Sequence, residues 1–197
     1  MSHSRFLLLI FIFQGLIGCS TLLPTQKLPE FPLFPPAELG KDMQVTQLVT
    51  SQVNDLPQVM MAAWSIADNQ MNLVGLTVTG QVILRLQYDG EKLTEEYSPM
   101  LSVPINGRIV ISQIQLAYWP LIKIQKQLQG TDWKLLQDQQ QREVTFKNHS
   151  VTTIKAKNKS TKPVLFNQQW PELVLESPIL NQQLTIKTIS TGMNNEQ

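Results

Sequence analysis

The sequence predicts a mainly β domain in which one antiparallel sheet wraps a kinked helical segment. Three observations carry this reading. Gln81–Tyr88 alternates cleanly, with Val82, Leu84, Leu86 and Tyr88 on one face and Gln81, Ile83, Arg85 and Gln87 on the other. After Pro104-Ile-Asn-Gly107 the period changes, and Ile111, Ile114, Tyr118, Leu121, Ile122 and Leu128 recur at helical spacing. Strand patterns then resume with no βαβ alternation, which points to strand pairing between sequence neighbours around a helical interruption.

The elements follow in order. Val45–Val53 is rich in Val, Thr and Gln and suits a half-exposed strand. Val59–Ala67 is more apolar, Leu73–Thr79 follows, and Gln81–Tyr88 runs into Asp89-Gly90. That pair predicts a two-residue type I′ hairpin turn, because both residues tolerate positive φ, with Lys92–Tyr97 as the return strand. The helical segment is expected as two pieces, roughly 109–118 and 120–129, kinked at Trp119-Pro120 because proline lacks the amide the preceding turn needs. Ser112 and Gln115 stand in capping-box relation, and Gly130 is placed to stop the helix. Five further strands are expected at Trp133–Gln137, Arg142–Lys147, Val151–Ala156, Leu173–Glu176 and Gln183–Ile189.

The N-terminus has a different character. Arg5 precedes the unbroken apolar run Phe6–Phe13, which is shorter than the roughly 20 residues needed to span a bilayer. Leu16-Ile17-Gly18-Cys19 follows and resembles a bacterial lipobox. The resemblance implies cleavage after residue 18, with Cys19 carrying covalent lipid as the first mature residue and anchoring the protein to a membrane. Ser20, in place of the aspartate that favours inner-membrane retention in enterobacterial sorting, implies the periplasmic face of the outer membrane. Residues 19–40 then form the lipidated terminus and a tether. Five of the twelve prolines fall between Pro24 and Pro36, which favours extended polyproline geometry, and the interleaved Phe31, Leu33 and Phe34 allow part of it to lie on the domain. The folded domain is placed at 41–190 and a flexible tail at 191–197.

Composition narrows the function. Cys19 is the only cysteine and is consumed by lipid, so no thiol nucleophile, disulfide or cysteine metal ligand remains. His3 leaves with the signal, and His149 lies in the turn-like Lys147-Asn-His-Ser150, which disfavours histidine-based triads and zinc sites. A formal net charge of +1 disfavours nucleic acid. Glu95 and Glu96 are strand neighbours and point to opposite faces, so they cannot act as an acid/base pair. No phosphate loop or dinucleotide fingerprint occurs. The chain is expected to be no enzyme and to need no cofactor beyond the lipid on Cys19.

Four segments, Asn72-Leu-Val-Gly-Leu-Thr-Val-Thr-Gly80, Leu86-Gln-Tyr-Asp-Gly90, Leu116-Ala-Tyr-Trp-Pro120 and Leu128-Gln-Gly-Thr-Asp-Trp-Lys-Leu135, together resemble a domain-of-unknown-function family of bacterial lipoproteins. Members are often encoded with aryl-polyene biosynthesis genes, near a LolA-like carrier and an RND-type exporter. The resemblance implies a LolA/LolB-like open antiparallel half-barrel holding an acyl or aryl-polyene lipid under a helical lid. The exposed leucine loop of LolB has no counterpart that can be placed here. A single apolar cavity between sheet and helices is expected, with Met60, Trp64, Leu84, Leu86, Trp119 and Trp133 as candidate lining residues. The same residues also suit an ordinary closed core. The alternative function is a scaffold lipoprotein that docks onto the carrier or exporter and binds no lipid.

Overall fold

The computed structural model describes residues 30–53, 56–101, 105–138, 140–157 and 172–192. The expected signal segment, Cys19 and the tether up to residue 29 lie outside the described residues, as does the tail beyond residue 192.

Among the described residues ten strands form one sheet: β1 (Met43–Val53), β2 (Leu56–Ala67), β3 (Gln70–Leu76), β4 (Val82–Tyr88), β5 (Leu93–Tyr97), β6 (Trp133–Gln137), β7 (Gln141–Phe146), β8 (His149–Ala156), β9 (Glu172–Ser177) and β10 (Gln182–Gly192). Their spatial order is β5-β4-β3-β2-β1-β10-β9-β8-β7-β6, and every pairing is antiparallel. Each strand therefore pairs with its sequence neighbour, and β1 joins β10. The meander fails to close at one place. β5 and β6 stay edges because the chain between them forms α1 (Gly107–Tyr118) and α2 (Leu121–Gln127) instead of a tight turn. The result is the antiparallel sheet around a kinked helical segment that the sequence predicts, left open as the half-barrel that the family resemblance implies.

The kink lies where proline puts it. Trp119 (φ −70°, ψ 148°) and Pro120 (φ −57°, ψ 132°) are both extended and separate the two helices. The start of α1 differs from the expectation at residue 109. Asn106 is the N-cap, its Oδ1 accepting from the Ile109 amide at 3.2 Å, so α1 begins at Gly107. Ser112 and Gln115 are buried in the helix body and form no capping box.

Two turns also differ. Asp89-Gly90 belongs to a longer Asp89–Lys92 turn in which Gly90 alone has positive φ (102°). Asp89 Oδ1 accepts from the amides of Lys92 (2.7 Å) and Glu91 (2.9 Å), and these bonds hold its carboxyl below the usual range. Turns with two positive-φ residues occur instead at Asp68-Asn69 (51°, 57°) and Lys147-Asn148 (49°, 65°), where no glycine signals them.

Both expected boundaries of the domain move outward. Residues 31–39, expected within the tether, are built into the domain: Phe34 is 1% exposed, Leu39 is buried, and Pro36–Leu39 forms a 3₁₀ turn ended by Gly40 at φ 79°. At the other end Thr191 and Gly192 pair with Val45 and Gln44 as the last residues of β10, not as tail.

Candidate functional site

The concave face of the sheet is read directly from strand register, since alternate residues share a face. Met43, Ile66, Met71, Tyr88 and Leu93 form one cross-strand row, and Val45, Trp64, Leu73, Leu86 and Glu95 form the next. These rows carry large side chains. The row above them, Thr188, Gln47, Ala62, Gly75, Leu84 and Tyr97, has its two smallest residues at its centre. Met60 lies over that hollow: a Cβ on Gly75 would stand 2.8 Å from Met60 Cε and 3.1 Å from Leu84 Cβ. Methionine suits such a place because its unbranched thioether chain adapts to irregular gaps. One step further along, Ile186, Val49 and Met60 form a cross-strand row of half-buried apolar residues.

This row opens toward one end of the half-barrel. The β3–β4 turn, the segment after β5 and the β9–β10 turn all lie there and carry exposed Val78, Met100, Ile179 and Leu180. The opposite end is closed by polar turns, Asp68-Asn69 and Asp89–Lys92. Exposed apolar side chains thus gather at the mouth end, which also carries the polar Lys147-Asn148 turn.

Two buried polar groups fix α1 across the concave face. Gln47 on β1 donates through Nε2 to the Tyr118 hydroxyl at 2.6 Å and accepts from Trp64 Nε1 at 3.1 Å. Trp64 and Tyr118 also pack edge to face at 4.9 Å, and burial pushes the Tyr118 phenol up. Arg142, at the start of β7 and 2% exposed, donates through Nη1 to the carbonyls of Leu116 (2.7 Å) and Trp119 (2.8 Å) and through Nε to Gln137 Oε1 (2.9 Å). Burial lowers its guanidinium to about 9, so it stays charged at neutral pH. A cation on the last carbonyls of a helix is favourably placed against the helix dipole. At the other end, Glu95 Oε2 (3.3 Å) and the Tyr97 hydroxyl (3.0 Å) accept from the Gly107 amide, and Tyr97 donates to Glu95.

Of the six candidate lining residues, Trp64, Leu84, Leu86 and Trp119 are at most 2% exposed and belong to one packed cluster with Ile111, Ile124 and Phe34. The expected single cavity between sheet and helices is therefore filled, by the helices and by Phe34 of the presumed tether. Met60 is half-buried at the mouth. Trp133 borders a shallow hollow of about 370 Å³ between α2 and β6, shared with Gln125, Leu128 and Leu135. A second hollow of about 340 Å³ lies among β1, β2, β3 and β10 and includes Gln44, Asn72, Val74 and Ser190. Glu95 and Glu96 occupy opposite faces of β5, and His149 is exposed at the start of β8. Sequence reasoning missed Phe34, Gln47, Gln115, Tyr118 and Arg142 as organising residues. For Gln115 a signal existed: it stands four residues after Ile111, inside the apolar stripe of a helix.

The region from β1 to β10 coincides with a described sequence family. The chain belongs to the family described as protein of unknown function (DUF3261), which matches residues 44–190. No curated protein matches the chain. Among solved structures it is similar to a candidate outer membrane lipoprotein-sorting protein domain from Vibrio parahaemolyticus, with 8% identity, coverage of 80% of this chain and 87% of that one, and a TM-score of 0.40. It is also similar to a LolA superfamily protein from Nitrosomonas europaea, with 9% identity, coverage of 85% and 90%, and a TM-score of 0.39. A DUF1329 family protein from Desulfovibrio piger gives 8% identity, coverage of 82% and 91%, and a TM-score of 0.38. At such identities and scores the functional reading of this DUF3261 member rests on its own residues. Among the described residues no helix is long and apolar enough to cross a membrane, and no three His, Cys, Asp or Glu side chains gather as for a metal ion.

Proposed function

We propose that this protein is an outer-membrane-anchored periplasmic lipoprotein, held through Cys19, that takes up a hydrophobic acyl or aryl-polyene lipid during its transport or assembly and performs no catalysis. The carrying observation is an unclosed sheet whose apolar concave face reaches solvent at one end through Ile186, Val49 and Met60. Apolar ligands gain about 25 cal/mol for each Å² removed from water, and a mouth ringed by Val78, Met100, Ile179 and Leu180 suits exchange with a lipid phase. The gap between β5 and β6 matters equally, because helices can shift there without breaking a strand ladder. A LolA-like carrier or an RND-type exporter is the partner class that would deliver or remove such a lipid.

The packed core favours a second reading, a scaffold lipoprotein that docks onto such a carrier or exporter and binds no lipid. Photoactivatable palmitic acid in phosphatidylethanolamine vesicles separates the two. Lipid uptake predicts labelling of the concave-face strands of the full lipidated chain, reduced in Met60→Trp, which crowds the mouth at a half-buried position. Absence of labelling in the wild type supports the scaffold.

A further inference from the structure

A segment outside the sheet, residues 31–36, lies along α1 from Trp133 of β6 to Gly90 of the β4–β5 turn, held in a way no strand of the sheet is held. Its backbone is bound by side chains of α1. Arg108 Nη2 donates to the Phe31 carbonyl at 3.3 Å. Gln115 accepts from the Phe34 amide through Oε1 at 2.9 Å and donates to the Phe34 carbonyl through Nε2 at 2.6 Å. Trp119 Nε1 donates to the Pro35 carbonyl at 3.4 Å. Positions 108, 115 and 119 are separated by seven and four residues, which places them on one stripe of the helix. Gln115 thus does for Phe34 what a neighbouring strand would do, but with a side chain.

On its other side aromatic rings attach the segment. Phe34 packs edge to face on Phe31 (5.8 Å), Phe31 on Trp133 of β6 (5.1 Å), and Trp133 against Phe146 of β7 (4.8 Å). Below, the Ala37 amide donates to Asn69 Oδ1 at 3.0 Å, and Gly90 lies close to Pro35 and Pro36. The segment touches α1, β6 and the β4–β5 turn, and Phe34 fills space in the common core. It can leave without breaking a single strand pairing, because no strand ladder includes it.

We propose that residues 31–36 are a releasable strap: they occupy, in cis, a chain-binding site on α1 between Trp133 of β6 and the β4–β5 turn, and their displacement vacates the Phe34 position for an acyl chain. The proposal rests on the lipid-binding reading for the identity of the entrant. Recognition through backbone carbonyls and one amide makes the site tolerant of sequence, and the strap follows directly from the chain that leads to Cys19. Eleven residues separate Cys19 from Phe31, so the anchor and the gate are parts of one continuous segment.

A reversible lock tests this. A Cβ built on Gly90 lies 3.6 Å from Pro35 Cβ, within the range a disulfide spans. In the full lipidated chain Cys19 carries lipid, so Pro35→Cys with Gly90→Cys is the only pair available for oxidation. The positive φ of Gly90 strains a cysteine, but both redox forms of one protein share that strain. Photoactivatable palmitic acid in phosphatidylethanolamine vesicles should label the reduced form, and the oxidised form roughly tenfold less, because a locked strap lowers the competent fraction. Equal labelling of the two forms overturns the strap. No labelling of wild type or reduced protein sinks the lipid reading instead, and the strap is then judged on amide exchange of the ligand-free wild type. Phe34 and Ala37 amides should exchange well ahead of the β4 amides of Leu84 and Leu86, through a local opening. Exchange of all four only on global unfolding overturns the strap whatever the lipid result.

Discussion

Gly107→Ala sets two effects against each other at the point where α1 meets the sheet. Alanine is the better helix former, by about 1 kcal/mol in a helix interior and less in a first turn. The structure opposes the change: the added Cβ would stand 2.5 Å from Leu86 Cδ2, 2.8 Å from Glu95 Oε2 and 2.9 Å from Glu95 Cδ. Leu86 is 2% exposed and has little room to turn away. Glu95 can swing toward solvent, but only by giving up its bond to the Gly107 amide, worth about 1 kcal/mol. Overpacking of this kind costs about 1–3 kcal/mol, so the clash outweighs propensity. The expected outcome is a net loss of about 1–2 kcal/mol, or roughly 3–6 °C in Tm for a domain of this size. Thermal and urea unfolding of the full chain followed by circular dichroism measure it. Leu86→Ala removes the clashing atom, so it should be less destabilising in the Gly107→Ala background than alone. A Gly107→Ala protein that melts at or above the wild-type temperature refutes the close-approach argument.

Trp119→Ala removes a ring with no exposed surface and should cost about 3–5 kcal/mol, read from urea midpoints; unchanged melting would place the ring outside the core. Cys19→Ala should leave an uncleaved precursor that takes up no radiolabelled palmitate. Palmitate in that variant would dismiss the lipobox. Ser20→Asp should retain the protein in the inner membrane where the enterobacterial rule applies, as read by membrane fractionation.

Much of the strand and helix order was legible because its signals are local. The alternation through Leu84, Leu86 and Tyr88 places all three on the concave face, whereas Val82 is exposed. The cause is a register shift between Gly75 and Leu76 that leaves Ile83 buried, and single-strand alternation cannot reveal a bulge in a pair. Trp119-Pro120 separated the helices as expected, since proline's missing amide acts within one turn. The turn at Asp68-Asn69 went unread because no glycine or proline marks it, and the turn-like Lys147–Ser150 gave no sign of positive φ at Lys147, a residue that rarely adopts it.

The candidate site was legible in part for the same reason. Met60, Trp64, Leu84 and Leu86 follow from apolar patterning, which reports burial but not what fills the space opposite. Phe34 looked like part of a tether because proline-rich composition describes the chain's own stiffness, and its docking depends on Gln115, 81 residues away. Arg142 looked like the first residue of a strand, and its burial is made tolerable in part by the Leu116 and Trp119 carbonyls, which arrive from a distant helix.

The sequence by itself determined the period of each element, the proline break and the single cysteine, because these are set by neighbours along the chain. The tertiary structure alone decided that β1 meets β10, that β5 and β6 remain apart, and that residues 31–36 dock on α1. Those outcomes depend on which apolar surfaces are left uncovered once the sheet has curled. That remainder is a property of the packed whole, and no local pattern of residues encodes it.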